Sequence, residues 1–401
     1  MKWKMPGYEL DDISDKIIEK YNNKRFYIYG AGLRGKRIYQ VLNTLTDYKI
    51  AAFIDQDEKK QKETYCDKQV LSLEQITCAN GTELEDSIIL IALEQDIGEK
   101  VKMDLEDMFL HRNIYCLSYE EFMHYDFPVL ALYKYNKCYI NTISILVTEK
   151  CTLRCEKCAI MLPYLKEANE YNIEQLKQEV DLLFNQIDMI GNITITGGEP
   201  LLFKELNSFI EYIGKRYRNK IGTFRIITNG TIEPSNELIK TMNKYEMSVE
   251  ISDYTQAVPI LKDKIQSVVN LFKQNHIDTY FLTLAKWVDF GFEYVNKDNL
   301  SEEELIRFYD YCHTMCRGYI GGKINYCINA KLAERALNKP EDKSNIFSLY
   351  DLKDNLHSKK KLIEFDRGYN TNGYLEMCRY CNGSCEINKN YVEVGIQCKN
   401  R

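Results

Sequence analysis

The stretch Lys150-Cys151-Thr152-Leu153-Arg154-Cys155-Glu156-Lys157-Cys158 decides how the rest of the chain is interpreted. It places three cysteines at the spacing C-x3-C-x2-C directly after the run 142–148, whose β-branched residues predict a buried strand. Thiolates are the usual ligands of iron–sulfur clusters, and so short a loop can bind one corner of a cubane. Three cysteines leave the fourth iron of a cubane open, which is typical of catalytic metal sites.

Zinc binding and a disulfide are the two alternatives to a cluster for these cysteines. A zinc site usually has a fourth cysteine or histidine close by, and neither residue type occurs between positions 159 and 275. A disulfide would leave one thiol over, and the first residues lack the apolar core of a secretory signal peptide. The spacing therefore favours an iron–sulfur cluster.

A second stretch, Ile193-Thr194-Ile195-Thr196-Gly197-Gly198-Glu199-Pro200, predicts a strand that ends in two glycines. Together with the cysteine loop it resembles the radical S-adenosylmethionine (SAM) superfamily, over roughly residues 138–300. The resemblance implies that Cys151, Cys155 and Cys158 hold a [4Fe–4S] cluster, whose open iron takes the methionine amine and carboxylate of SAM. Lys157 departs from the pattern, because the family often has an aromatic residue just before the third cysteine.

The same resemblance implies a set of SAM-binding residues. The GGEP motif would line the methionine amino group, and two later strand ends would face the ribose and adenosine. These residues are Gly197, Gly198, Glu199 and Pro200 in the motif, with Asn229 and Ser252 at the strand ends. For Asn229, a plain Asn-Gly turn is the alternative.

Strands and helices alternate through residues 138–300, which predicts a parallel sheet curled into a partial (β/α)6 barrel. Strands are predicted at 223–227, 248–251 and 279–283, and helices at 173–187, 204–218 and 258–274. The cysteine loop, the GGEP motif, Asn229 and Ser252 all follow strands. Since ligands bind at the carboxyl ends of parallel strands, these residues are expected to form one site.

Composition narrows the class of protein. A chain of 401 residues allows two or three domains. No apolar run is long enough to span a membrane, and a net charge of −6 argues against a nucleic-acid partner. Fourteen cysteines without a signal peptide indicate a cytoplasmic protein that uses thiols for metal rather than for disulfides.

Residues 1–125 predict an α/β, Rossmann-like domain. The strand 26–29 runs into a G-x-G-x-x-G turn (Gly30, Gly32 and Gly35) and a helix over 36–45. The next strand ends in Asp55, about 20 residues further on, where an acid can hold ribose hydroxyls. This unit resembles the N-terminal domain of sugar acyltransferases and other polysaccharide-biosynthesis proteins, which implies a nucleotide or nucleotide-sugar ligand. In the alternative, the glycines only allow a helix and a strand to pack closely. Residues 126–137 are predicted to be a linker.

Residues 301–401 predict a small cysteine-rich domain that resembles the SPASM and twitch extensions of radical SAM enzymes. The resemblance implies an auxiliary [4Fe–4S] cluster, held by Cys327, Cys378, Cys381 and either Cys312 or Cys316. The run from Cys378 is one cysteine short of a full two-cluster pattern, although Cys385 and Cys398 could serve a second cluster. Zinc bound by two separated cysteine pairs is the other alternative.

The resemblance implies an enzyme that reductively cleaves SAM and abstracts hydrogen from its substrate, with a reducing partner such as flavodoxin or ferredoxin. The N-terminal domain favours a nucleotide sugar or polysaccharide precursor as substrate. A peptide or protein substrate is the alternative, and a non-catalytic iron–sulfur protein is a third. The sequence assigns no catalytic residue beyond the metal and SAM ligands.

Overall fold

The structure, a computed structural model, describes residues 9–78, 84–312, 314, 317–384 and 387–399. It confirms the predicted α/β class, with one sheet in the N-terminal part and a larger sheet shared by the rest of the chain. Among the helices in these ranges, none combines the length and apolarity needed to cross a bilayer.

The N-terminal sheet follows the doubly wound pattern. Its strands are β1 (Arg25–Tyr29), β2 (Ile50–Ile54), β3 (Thr64–Tyr65), β4 (Lys68–Leu71), β5 (Ser87–Ile91) and β6 (Ile114–Ser118). They lie in the order β3-β4-β2-β1-β5-β6, and only the β3–β4 pair is antiparallel. All five residues of β5 are buried, as expected for a central strand with both faces covered. The helices of this part are α1 (Glu9–Tyr21), α2 (Leu33–Leu45), α3 (Leu73–Cys78) and α4 (Gln95–Met108).

The predicted linker, residues 126–137, contains a buried helix. A short π-helix, Glu121–Asp126, leads into α5 (Phe127–Tyr135), which ends at Asn136 in a left-handed conformation. Residues 127–132 are all buried, some in the N-terminal core and others in the barrel core. Because residues 127–132 are buried on all sides, this part of α5 is apolar throughout and lacks the amphipathic period by which helices are recognised. The segment still connects the two parts, and the domain boundaries stay predictions.

The central part is a curved parallel sheet with helices on its outer face. Its strands are β7 (Tyr139–Leu146), β8 (Met189–Thr196), β9 (Ile221–Thr228), β10 (Met247–Ser252) and β11 (Asp278–Leu282), followed by the short β12 (Trp287–Val288). The helices between them are α6 (Ile173–Gln186), α7 (Leu206–Tyr217), α8 (Asn236–Lys244) and α9 (Lys262–Gln274). The predicted helix start at Asn172 is confirmed, since its side chain accepts hydrogen bonds from the N–H groups of Glu174 and Gln175.

The C-terminal part extends the same sheet. Its elements are α10 (Glu302–Tyr311), β13 (Gly318–Ile320), β14 (Lys323–Asn325), α11 (Ile328–Ala336), β15 (Ile346–Ser348), α12 (Leu356–Asp366) and β16 (Tyr391–Val392). β13 pairs in parallel with β7, so the eight strands run in the order β11-β10-β9-β8-β7-β13-β14-β15. The cysteine-rich part therefore shares its sheet with the barrel. β16 pairs with β12.

Candidate active site

A cavity of about 470 Å³ lies at the carboxyl ends of β7, β8, β9 and β10. Its wall contains most of the residues that the sequence predicts for one site, namely Cys151, Cys155, Cys158, Gly197, Gly198, Asn229 and Ser252. Residues far apart in the chain meet here because the carboxyl ends of neighbouring parallel strands share one edge of the sheet. Pro200 and Glu199 are buried next to this wall.

The three loop cysteines are free thiols. Burial raises the pKa of all three, that of Cys155 to about 12, and the neighbouring thiols raise it further. Thiols in such a place are protonated near neutral pH until a metal displaces the protons. Within the described ranges, no three His, Cys, Asp or Glu side chains converge to hold a single metal ion. A cubane is bound at separate iron corners, so three neighbouring thiols that face one cavity suit it.

The two glycines are required by close contact between the GGEP motif and the cysteine loop. A Cβ atom on Gly197 would lie 2.3 Å from the carbonyl oxygen of Thr148, and one on Gly198 would lie 2.3 Å from that of Lys150. The backbone N–H of Gly198 donates to Thr148 O at 2.9 Å, and that of Glu199 donates to Lys150 O at 2.8 Å. The glycines therefore let β8 hold the loop that carries the cysteines.

Glu199 is fully buried and holds this edge of the site together. Its carboxylate accepts hydrogen bonds from the Thr228 hydroxyl at 2.8 Å, from the Leu201 N–H at 3.0 Å and from the Asn229 N–H at 2.8 Å. Asn229 in turn donates from Nδ2 to Thr152 Oγ1 at 3.0 Å. The described contacts of Glu199 are thus internal, and its contact with SAM stays a prediction.

Three aromatic residues of the wall carry no motif by which the sequence could reveal them. Tyr254, Trp287 and Phe290 line the cavity, and the rings of Tyr254 and Trp287 meet edge to face at 5.7 Å. They lie in segments that follow β10 and β11, so only the fold brings them to the cysteines. Lys157, the departure from the family pattern, pairs with Asp289 at 3.3 Å in the same wall.

The C-terminal tail lies along the cysteine loop. Backbone hydrogen bonds join Glu156 N to Ile396 O and Cys398 N to Arg154 O, each at 2.8 Å. The Gln397 side chain accepts from the Arg154 N–H at 2.8 Å and donates from Nε2 to Cys155 Sγ at 3.3 Å. Cys398 is close enough to Cys155 and Cys158 to raise the pKa of both thiols. The structure thus places Cys398 beside the loop cysteines, and its role in an auxiliary cluster stays a prediction.

A buried ion pair ties the cysteine loop to the C-terminal part. Glu149, two residues before Cys151, accepts hydrogen bonds from both terminal nitrogens of Arg335 on α11, at 2.6 Å for Nη1–Oε1. The N–H of Asn169 and the hydroxyl of Tyr171 complete its shell, at 2.7 and 3.1 Å. Burial opposes ionisation, but these hydrogen bonds, led by Arg335, hold the pKa of Glu149 below its ordinary value.

A second group of free thiols lies in the C-terminal part. Its members are Cys312, Cys327, Cys378 and Cys381, all without a disulfide. Burial raises the pKa of Cys378, and the other three thiols are near enough to raise it further. The structure brings Cys312 to the other three cysteines, and the choice between Cys312 and Cys316 as the fourth ligand stays a prediction. Cys316 and Cys385 lie outside the described residues.

One apolar cluster connects the two groups of cysteines. It contains Met161, three residues after Cys158, and Met377, which directly precedes Cys378, with Phe292 and Ala333. Cys327 and Cys381 pack against it. An apolar wall of this kind keeps water away from Cys327 and Cys381, which affects the reduction potential of any cluster bound there.

Glu334 on α11 gives a testable pH dependence. Its carboxyl group is 3% exposed, and burial raises its pKa to about 7. The folded chain thus binds this proton more tightly than the unfolded chain, and the stabilisation is lost as pH rises through 7. We expect the unfolding free energy of the wild type to fall by about 1.4 kcal/mol, relative to Glu334→Gln, between pH 6 and pH 8. Urea denaturation at both pH values measures the difference.

Glu341→Gln is the matched control, because Glu341 is more exposed and pairs with Lys331. Its ion pair holds the pKa of Glu341 below the ordinary value, so the variant should show no such change between pH 6 and 8. A pH-independent difference between Glu334→Gln and the wild type would contradict the prediction.

The predicted nucleotide-binding residues lie at the carboxyl ends of β1 and β2. Gly30 has φ +111°, and a Cβ on Gly35 would lie 2.2 Å from Gly30 O, so these two glycines serve close helix–strand packing. A Cβ on Gly32 would meet nothing within 4 Å. Asp55 accepts from the Ala31 N–H at 2.9 Å and pairs with Lys60 at 2.9 Å, so its carboxylate orders the loop itself. Ligand binding by these residues stays a prediction.

Comparison with known proteins decides the class of the central part. Residues 145–311, from the end of β7 through α10, match the model of the radical SAM superfamily. This match identifies the family that residues 145–311 resemble. The predicted recognition, the enzyme class and the use of a [4Fe–4S] cluster with SAM are thereby confirmed at the level of the superfamily. The likeness of the N-terminal part to polysaccharide-biosynthesis proteins is not among these findings.

Curated relatives match part of this chain. A GTP 3',8-cyclase of Campylobacter jejuni is 33% identical over 140 residues, which cover 33% of this chain and 42% of the relative. A GTP 3',8-cyclase of Sulfurovum sp. is 35% identical over 79 residues, covering 18% of this chain and 23% of the relative. The chain thus spans less than half the length of these relatives.

Solved structures show distant likeness. Streptococcus suis SuiB bound to S-adenosylmethionine is 16% identical with a TM-score of 0.31, covering 55% of this chain and 51% of that one. BtrN in complex with AdoMet and 2-DOIA is 16% identical with a TM-score of 0.33, covering 49% of this chain and 76% of that one. Native anSMEcpe with bound AdoMet is 20% identical with a TM-score of 0.32, covering 36% and 44%.

Proposed function

We propose that this protein reductively cleaves SAM and uses the product to abstract hydrogen from a nucleotide sugar or a polysaccharide precursor. The observation that supports cleavage is the single cavity in which Cys151, Cys155 and Cys158 face Gly197 and Gly198. A [4Fe–4S] cluster bound by these thiols would supply the electron that splits SAM into methionine and a 5′-deoxyadenosyl radical.

The chain's own residues set the conditions for this chemistry. The glycine pair holds the cysteine loop against β8. Asn229 links that loop to Glu199, and Ser252 would reach the nucleoside part of SAM from the next strand. The aromatic residues of the wall give the cavity an apolar lining, which strengthens the electrostatic interactions inside it.

SAM cleavage is tested by measuring 5′-deoxyadenosine after anaerobic reconstitution with iron and sulfide and addition of dithionite. We expect the wild type to form it and the triple variant Cys151/Cys155/Cys158→Ala to form none. A wild type that carries the cluster but forms no 5′-deoxyadenosine would instead favour the non-catalytic iron–sulfur protein.

We further propose that Cys312, Cys327, Cys378 and Cys381 hold one auxiliary [4Fe–4S] cluster. The assignment is supported by four free thiols that lie close enough together for the pKa values of Cys378 and Cys381 to be raised by their neighbours, and by the apolar cluster against which Cys327 and Cys381 pack. Such a group could accept or supply the second electron of an oxidation or a bond-forming reaction. Zinc bound by the same residues is the alternative, and the ratio of iron to zinc in the triple variant Cys151/Cys155/Cys158→Ala distinguishes them.

A nucleotide-sugar substrate is supported by the doubly wound N-terminal sheet, whose strand order places a crevice at the ends of β1 and β5. The matched relatives are named for a reaction of GTP, which is also a nucleotide. A peptide is the second candidate, and one of the distant structures is SuiB bound to its precursor peptide. Substrate-dependent 5′-deoxyadenosine formation across panels of nucleotide sugars and peptides tests the choice. Stimulation by peptides alone would overturn it.

The tail gives a prediction for the cluster of the cysteine loop. Gln397 donates a hydrogen bond to Cys155 Sγ, and such bonds stabilise the more negative, reduced cluster. We expect Gln397→Leu to lower the midpoint potential by on the order of 50 mV, close to a tenfold change for one electron. A redox titration that follows the EPR signal absent from the triple cysteine variant measures it. Gln397→Asn keeps the amide group on a shorter side chain, so it tests whether the length of the side chain is needed for the hydrogen bond. An unchanged midpoint potential in Gln397→Leu would contradict the assignment.

A further inference from the structure

A second cavity, of about 780 Å³, lies between the N-terminal part and the barrel sheet. One side is formed by the start of α2, with Leu33 and Arg34, and by Leu93 and Glu94 after β5. The opposite side is formed by β9, β10 and β11. On these strands Phe224, Ile226, Val249 and Ile251 are buried in the core under the outer helices. Since side chains alternate along a strand, Arg225 and Glu250 lie on the inner face, toward the cavity.

The N-terminal side of this cavity is the place where a doubly wound sheet binds ligands. β1 and β5 are adjacent and parallel, and the strand order reverses between them. The 13-residue helix α2 begins here with Gly32 as its N-cap, without a side-chain cap and without an acidic residue in its first turn. The free N–H groups and the positive end of the helix dipole therefore meet the cavity without an acidic side chain in the first turn of α2. Two acidic side chains close to this end are each paired with a cation, Asp55 with Lys60 and Glu94 with Arg34.

One arginine brings positive charge to this cavity that the described residues leave unpaired. Arg37 donates from Nε to Thr223 Oγ1 at 2.6 Å, and no carboxylate within the described ranges lies within ion-pair distance of it. The other two arginines of the wall differ from it. Arg34 pairs with Glu94 and Glu120 at 2.7 and 2.9 Å, and Arg225 pairs with Glu250 at 2.8 Å.

The barrel side contributes polar groups that lack a partner. Ser248 is 6% exposed, and its buried Oγ has no hydrogen-bond partner among the residues that the structure describes. The Nε of Arg225, which is in register with Ser248 on the neighbouring strand, has none either. A buried polar group without a partner costs free energy, and a ligand in the cavity would remove that cost. These groups are independent of the helix start across the cavity.

We propose that this interdomain cavity binds the diphosphate of a nucleoside-diphosphate ligand. The diphosphate would lie at the start of α2 beside Arg37, and the hydroxyl groups of the attached sugar would face Ser248 and Arg225. Arg225 and Glu250 come two residues before Ile227 and Ser252, which line the active-site cavity on the same face. Two residues of strand span about 7 Å, so a sugar bound here lies next to the cavity of the proposed SAM site. This inference deepens the proposed function and rests on it for the identity of the sugar.

The test is calorimetric binding to the full, reconstituted chain, with inorganic pyrophosphate, UDP and UDP-glucose as probes. We expect binding of all three, and at least a tenfold rise in each Kd for Arg37→Gln. Ser248→Ala should raise the melting temperature of the ligand-free chain, because it removes the unpaired hydroxyl. The same variant should weaken the binding of UDP-glucose without weakening the binding of pyrophosphate. Arg307→Gln, on the exposed face of α10, is the matched control. It should leave the Kd of every probe and the melting temperature unchanged.

Each result has a definite meaning. The proposal is overturned if no probe binds the wild type, or if both variants bind as tightly as the wild type does. Binding of pyrophosphate with the same affinity as UDP-glucose would overturn the contact between the sugar and the barrel. If the wild type forms 5′-deoxyadenosine but binds no probe, the diphosphate site is refuted and the proposed SAM cleavage is not. If the wild type binds the probes but forms no 5′-deoxyadenosine, the proposed reaction is refuted and the diphosphate site is not.

Discussion

Gly198→Ala is expected to lower 5′-deoxyadenosine formation by about a hundredfold, the effect of displacing a reacting group by about 1 Å. The new Cβ would lie 2.3 Å from Lys150 O and 3.0 Å from the Cβ of Cys151. Contacts this short must be relieved by moving the backbone of the cysteine loop, and Cys151 moves with it. The rate of SAM cleavage in the reconstituted variant, compared at equal iron content, measures the effect.

Gly98→Ala is the matched control for this substitution. Gly98 lies in α4, where a Cβ would make ordinary contacts at 3.7 Å with Ile91 and Leu93. Alanine also has the higher helix propensity, so this variant should be as active as the wild type and at least as stable. If Gly198→Ala retained full activity, the close contact between the GGEP motif and the cysteine loop would not be needed for SAM cleavage.

Arg335→Met is expected to reduce the unfolding free energy by about 3 kcal/mol, because it leaves the Glu149 carboxylate buried without its cation. The side chain of Glu149 is fully buried, whereas that of Arg335 is 37% exposed, so the expected loss lies at the lower end of the range for broken buried pairs. Glu149 lies two residues before Cys151, so the variant should also bind less iron. Urea denaturation and iron analysis measure the two effects.

Two further variants separate the buried charge from lost packing. The double variant Glu149→Gln/Arg335→Met should recover part of the stability, since it removes the stranded charge. Arg307→Met removes an exposed pair with Glu303 on α10 and should cost less than about 1 kcal/mol. Equal losses for Arg335→Met and Arg307→Met would show that the buried pair does not hold the cysteine loop.

The parts of the fold that the sequence predicts well are those fixed by local patterns. The strands that end at the cysteine loop and at Gly197, and the helix that starts after Asn172, all follow from residues within a few positions of one another. Since parallel strands end at one edge, the shared cavity of the cysteines, glycines, Asn229 and Ser252 also follows.

What the sequence cannot predict depends on contacts between distant segments. Gln397 meets Cys155 across 242 positions, and Arg335 meets Glu149 across 186. Neither pair belongs to a local motif, so only the folded chain reveals that the tail and α11 both hold the cysteine loop. Helix α5 escapes prediction for a related reason, because burial on all sides removes the periodic pattern that identifies a helix.

The most direct test of the central claim is iron and sulfide analysis with EPR on the reconstituted wild type and on Cys151/Cys155/Cys158→Ala. If these cysteines hold a SAM-binding cubane and the C-terminal thiols hold a second one, the wild type contains about eight irons and the variant about four. SAM should then change the EPR spectrum of the reduced wild type and leave that of the variant unaltered. Equal iron contents in the two proteins, or a wild-type spectrum that does not respond to SAM, would contradict the account.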